Sequence, residues 1–128
     1  MPRAFAALAL AAFLAVGSAC GAQVQRPSIR IVGSEVVGSE LILKVKIKGW
    51  KLVPPDPGAV PKPRTGQWQI FTDKRYAGYS FQPQYGFVVG LSAGTYRFWV
   101  ALARTDYSLV YPLIRSQDIT VHIGRGTV

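Results

Sequence analysis

The sequence is poor in the residues that carry most enzyme chemistry. Its 128 residues hold one cysteine, one histidine and six acidic residues. A single Cys forms no internal disulfide, so a hydrophobic core has to stabilise the fold alone, which about 95 residues suffice to do. One His, His122, and acids scattered through different turns leave no nucleophile–base pair, no paired carboxylates and no Cys/His cluster with metal-ligand spacing. No Gly-rich loop leads into a helix, which excludes a phosphate cradle of the P-loop kind. These absences argue against an enzyme and against a bound cofactor. The longest apolar run, Ala4 to Val16, falls short of the roughly 20 residues that span a bilayer. Nothing after it places apolar residues at helical spacing, so a helical domain is excluded too.

What is present begins with an export signal. Arg3, the apolar run and the small residues Gly17-Ser18-Ala19 have the order of a secretory signal peptide over residues 1–19. Cys20 follows directly, and the stretch resembles a bacterial lipobox, in which the Cys becomes a lipid-bearing N-terminus. Gly17 stands where such motifs prefer Leu, and ordinary cleavage after Ala19 or Ala22 is the alternative. Residues 20–27 then read as a short tether, 28–124 as the domain and 125–128 as a tail. Without Arg3 the chain keeps 14 basic residues against 6 acidic, a net charge of about +8. For an exported protein this favours anionic lipid, an acidic wall polymer or an envelope protein as partner over nucleic acid. Solubility alone is the plainer account of the same charge.

The domain reads as strands. Ser28 to Val32 alternates, and the G-S-E-V-V-G-S-E that follows reads as turn chemistry. Leu41 to Lys48 is the clearest strand: Leu41, Leu43, Val45 and Ile47 point to a core, while Lys44, Lys46 and Lys48 point to water. Five prolines between Trp50 and Pro63 demand a long loop, crossing between sheets or lying over an edge. Gln67 to Thr72 is the next strand, with Trp68 and Ile70 inward and Gln67 and Gln69 in water. Short strands are expected near Tyr79 to Phe81 and Phe87 to Val89. A long one follows at Thr95 to Arg104 with Tyr96, Phe98, Val100 and Leu102 on one face. Asp106 to Ser116 is loop, and Ile119 to Ile123 closes the domain with His122 facing solvent.

About seven short strands with regular turn signals predict an all-β fold, an Ig-like antiparallel β-sandwich. Leu91-Ser92-Ala93-Gly94-Thr95-Tyr96 adds the L-x-x-G-x-Y spacing of a tyrosine corner, in which the phenol bonds back to nearby backbone. By parity Phe71, Arg97 and Trp99 face outward, and Tyr76, Tyr79, Tyr85, Tyr107 and Tyr111 fall in loops or at strand ends. Lys44, Lys46, Lys48, Arg97 and Trp99 are therefore the candidates for a basic and aromatic binding surface. The alternative is that Trp99 merely covers the stem of a basic side chain or shelters under the Pro-rich loop.

Taken together, G-W-K-L-V-P-P, G-Q-W-Q-I-F-T-D, L-S-A-G-T-Y and L-A-R-T-D-Y-S-L resemble segments of one family over residues 39–124. These are small exported bacterial domains with Ig-like sandwich folds and uncharacterised function. Their segments read G-H-x-H, L-x-P-G-x-H and N-D-H-x-P. The resemblance implies histidines suited to copper or zinc in the relatives. Here those positions are Gln67, Gln69, Tyr96 and Tyr107, while Asp73 and Asp106 match the family's acids. A remodelled site would thus involve Gln67, Gln69, Asp73, Tyr96, Asp106 and Tyr107, with no metal expected. Convergence of the four replaced positions is the test of this mapping.

Two functions follow as expectations. The first is an exported, membrane-tethered, non-enzymatic sandwich that presents a basic and aromatic surface to a protein, anionic lipid or wall component at the cell envelope. The second is a divergent metal-handling domain built from Asp73, Asp106, His122 and an amide.

Overall fold

A computed structural model describes residues 26–73 and 75–124. The signal segment, Cys20 and the first part of the tether, Lys74 and the tail at 125–128 lie outside the described residues. Two sheets pack face to face, and the described residues form an all-β sandwich of eight strands. The first sheet has the order β1 (Ser28–Val37), β2 (Glu40–Lys48), β6 (Tyr85–Val88). The second has the order β3 (Lys51–Leu52), β4 (Thr65–Thr72), β7 (Gly94–Arg104), β8 (Ile119–Ile123), with β5 (Arg75–Ser80) also on β4.

The inward faces agree with the alternation. Ile29, Ile31, Leu41, Leu43, Val45 and Val88 from the first sheet meet Trp68, Ile70, Phe98, Val100, Leu102, Val121 and Ile123 from the second in one core. Each such side chain contributes about 1.5–3 kcal/mol when taken out of water, so packing replaces the missing disulfide. The tyrosine-corner bond is made: Tyr96 Oη donates to the Ser92 carbonyl at 2.7 Å.

Three local expectations need correction. β1 does not end at Val32 but continues to Val37, because a bulge between Ile31 and Gly33 absorbs one residue and keeps the strand paired. Only Gly38-Ser39 forms the hairpin loop between the paired Val37 and Glu40, and Gly38 supplies the φ of 62° that so tight a loop uses. The Pro-rich segment is not all loop: the chain passes from the first sheet to the second at its start, and there β3 pairs in parallel with Thr65 and Gly66. Asp56 N then bonds the Thr105 carbonyl at 2.9 Å, tying the loop to the end of β7. The fifth and sixth strands also begin earlier than the alternation suggests, at Arg75 and Tyr85.

β1 is an edge strand, and a side chain closes part of its open edge. Gln117 Nε2 donates to the Ile31 carbonyl at 2.9 Å and Gln117 Oε1 accepts from Ile31 N at 3.4 Å. One amide thus stands in for a neighbouring strand and blunts the edge at the bulge.

Candidate functional site

The four positions that the resemblance maps onto histidines, Gln67, Gln69, Tyr96 and Tyr107, do not form one cluster. Gln67, Gln69 and Tyr107 belong to the outer face of the second sheet, whereas Tyr96 turns to the inner side, packs on the core and spends its hydroxyl on Ser92. Asp73 and Asp106 sit at opposite ends of the β4–β7 ladder, which runs in register from Gly66↔Arg104 to Thr72↔Phe98. At about 3.3 Å per residue the two acids are roughly 20 Å apart. Among the described residues no three of His, Cys, Asp and Glu are grouped closely enough to hold a metal.

The glutamines are not in water. Gln67 is 0% and Gln69 4% exposed. β4 is an interior strand, with β3 and β5 along one side and β7 along the other. The outward row across it runs Tyr79–Gln69–Ala101, so small alanines leave room above the sheet. The turn after β7 fills that room. Gln69 Nε2 donates to the Tyr107 carbonyl at 2.9 Å, and the Tyr107 ring meets Tyr79 edge-on at 5.6 Å.

Asp106 holds the turn from the solvent side. Its carboxylate accepts from Ser108 N at 3.0 Å and from the Ser108 hydroxyl at 2.5 Å, and these bonds lower its pKa below the usual carboxylate range. Tyr107 adopts a φ of 72° inside the turn, a left-handed conformation uncommon for an aromatic residue. Partial burial and the facing phenols of Tyr107 and Tyr79 raise the pKa of Tyr76. Gln69, Asp106 and Tyr107 therefore clamp a turn onto the sheet.

Gln67 differs from Gln69: neither its Nε2 nor its Oε1 has a hydrogen-bond partner among the described residues. A buried amide without partners costs about 1–3 kcal/mol, whereas a volume-matched apolar side chain incurs no such penalty. Gln67→Met should therefore leave stability unchanged or raise it by about 1 kcal/mol or more. Gln69→Met, which strips the Tyr107 carbonyl of its donor, should lower it by about 1–2 kcal/mol. Urea midpoints of the two variants check the contrast. A loss at both positions would mean that Gln67 has a partner, such as bound water.

The outward aromatics form a closed stack. Phe71 and Trp99 lie face to face, 4.3 Å between centroids and 14° between planes. Tyr76 meets Phe71 edge-on at 6.0 Å, and the Arg115 guanidinium covers the Trp99 ring at 4.2 Å. Arg115 is itself paired with Asp118, and Trp99 Nε1 donates to the Asp73 carbonyl at 3.0 Å. A ring platform for a sugar or a base needs a free face, and both faces of Trp99 are in use. Trp99 is thus packed against a basic side chain, the Arg115 guanidinium, on the outer face of the second sheet.

The five surface candidates are divided between the two sheets. Lys44, Lys46 and Lys48 are exposed on the outer face of the first, joined by Arg30, which stands directly opposite Lys46. Arg97 and Trp99 are on the outer face of the second. Arg30 was not singled out from sequence because only the β1–β2 register places it there. Like charges directly opposite are unfavourable on a sheet, and none of these four cations is in an ion pair among the described residues. Ser28, Arg30, Lys46 and Lys48 border a shallow depression of about 300 Å³. His122 is exposed as expected, with Nδ1 2.9 Å from Thr95 Oγ1 and no described carboxylate bonded to the ring.

No family profile matches the sequence, and no curated protein does. Among solved structures the chain is similar to a Yersinia enterocolitica family 28 exopolygalacturonase, with 19% identity and a TM-score of 0.43. The match covers 79% of this chain and 20% of that one, so this chain spans about a fifth of that protein's length.

Proposed function

We propose that this is an exported, envelope-tethered, non-enzymatic sandwich domain whose first sheet presents a basic face to an anionic partner. The observation that carries the reading is the group Arg30, Lys44, Lys46 and Lys48, four cations on one open face without a paired acid among the described residues. Mutual repulsion makes such a group costly to the fold, and an anionic surface relieves it. The aromatic stack of the second sheet is assigned to stability. Metal handling gains no support, since Asp73 and Asp106 stand at opposite ends of their ladder.

The test is adsorption to anionic cell-wall polymer and to anionic vesicles, measured across a salt titration. Combined Lys44→Glu, Lys46→Glu and Lys48→Glu should weaken adsorption by roughly a hundredfold or more, at about fivefold for each surface cation, and flatten its salt dependence. All three side chains are exposed, so the fold should be kept. Unchanged adsorption would remove the basic face from the function.

A further inference from the structure

The partner of this face is open at the level of chemistry: wall polymer, acidic protein and lipid all carry negative charge. Three observations separate them. First, the face is not uniformly basic. The register stacks Ser28–Lys48, then Arg30–Lys46, then Gly33–Lys44–Tyr85, then Glu35–Ile42–Phe87, then Val37–Glu40. The cations therefore occupy one end and both acids the hairpin end, while Tyr85 and Phe87 line the β6 side beside Lys44 and Ile42.

Second, the β6 side is apolar and open. Tyr85 and Phe87 are 40% and 48% exposed, and their rings meet edge-on at 5.1 Å on the edge strand β6. Val32, the residue extruded at the bulge, is exposed as well and borders, with Lys44 and Tyr85, a second depression of about 320 Å³. The Lys44 stem lies over Gly33, where an added Cβ would stand 3.6 Å from its carbons. A long side chain that spreads its carbons over the sheet and keeps its charge at the rim suits a boundary between oil and water. Charge alone recruits a soluble polyanion, whereas exposed Tyr and Phe beside the cations suit a bilayer's interface.

Third, the chain reaches the domain at the cationic end. β1 starts at Ser28, opposite Lys48, and Arg26 follows Cys20 by six residue steps. At 3.3–3.6 Å each they extend about 20 Å at most. A lipid on Cys20 would hold this end of the sandwich within that distance of the membrane. A lipid chain and a basic patch together are the usual pair of signals for stable attachment.

We infer that the outer face of the first sheet docks on the anionic surface of the bilayer that carries the tether. Arg30, Lys44, Lys46 and Lys48 engage lipid phosphates, and Tyr85 and Phe87 enter the headgroup boundary. Glu35 and Glu40 are repelled, so the hairpin tilts away and the cationic end sits lowest. This inference rests on the basic-face reading above and narrows it to lipid.

All the described strands lie within residues 28–123, so the chain from residue 20 onward with Cys20→Ser contains the described sandwich and has no lipid. It is sedimented with vesicles of phosphatidylcholine alone, with vesicles containing one third phosphatidylglycerol, and in parallel with insoluble wall polymer. Binding is expected to the anionic vesicles and not to the neutral ones. The triple lysine reversal should abolish it, and combined Tyr85→Ser and Phe87→Ser should weaken it about tenfold with the thermal midpoint retained. Tyr85→Trp should add emission that brominated acyl chains quench. Binding that the lysine reversal abolishes, but that ignores the Tyr85 and Phe87 changes and shows no quenching, overturns bilayer docking and leaves the basic-face reading standing. Binding to wall polymer but not to vesicles does the same. No binding to any of the three overturns both.

Discussion

Trp68→Ala should lower the thermal midpoint of this domain by roughly 15 °C or more. The indole is fully buried on the inner face of β4 and reaches across to the other sheet. Its Nε1 donates to the Gln82 carbonyl at 2.9 Å, in the connection between β5 and β6. Its ring lies so close to Gly86 of β6 that an added Cβ there would stand 2.6 Å from it. One side chain therefore sets the spacing between the sheets and holds the segment that joins them. Truncating a buried Trp typically costs about 3–5 kcal/mol, a large share of the 5–15 kcal/mol by which domains are stable. For about 100 residues each kcal/mol moves the midpoint by about 4–8 °C. Trp68→Phe separates the contributions: it keeps most of the ring and loses the bond to Gln82, for a cost of about 1–2 kcal/mol. Calorimetry on both variants checks the order. Equal losses would mean that the hydrogen bond, not the packing, carries the effect.

Gly66→Ala should be destabilising by about 2 kcal/mol or more, although Ala restricts the unfolded chain more than Gly does. A methyl on Gly66 would stand 2.0 Å from the Ala103 carbonyl oxygen and 2.9 Å from the Arg104 Cα. Both are backbone atoms of the paired strand β7, which no rotamer change removes. The opposite edge is blocked as well, since Val53 N donates to the Gly66 carbonyl at 2.9 Å. The strands must part at this end of the ladder. The entropic gain from replacing Gly, at most about 1 kcal/mol, is outweighed by overpacking of 1–3 kcal/mol or more. Urea unfolding gives the magnitude, and faster amide exchange at Ala101 and Ala103, whose amides face β4, should locate it. A neutral substitution would show that β4 and β7 lie farther apart here than the geometry indicates.

Gly66 opens the segment G-Q-W-Q-I-F-T-D, in which legible and illegible features sit side by side. The inward direction of Trp68 and Ile70 follows from alternation, because a strand's side chains change face at every residue. The outward direction of Gln67 and Gln69 follows equally. That outward means buried does not, since the cover arrives from a turn 38 residues downstream of Gln69. A signal for it was present in the partner strand. Val100-Ala101-Leu102-Ala103 is apolar at every position, which is how a strand covered on both faces reads. The length of β1 was hidden for a different reason: G-S-E-V-V-G-S-E contains two turn-like units, and the pairing of Gly33, Ser34 and Glu35 with Lys44, Leu43 and Ile42 shows that the first belongs to a strand.

By itself the sequence determined the all-β class, the inward face of the long strands and the bond at Tyr96. Each depends on a period of two or on a short spacing, which neighbours in the chain suffice to set. Only the tertiary structure decided which charges and rings share a surface. It brought Arg30 beside the three lysines, sent Arg97 and Trp99 to the other sheet, and closed both faces of Trp99 with Phe71 and Arg115. Parity orients a side chain within its own strand, whereas the choice of neighbouring strand rests on long-range register that no local pattern encodes.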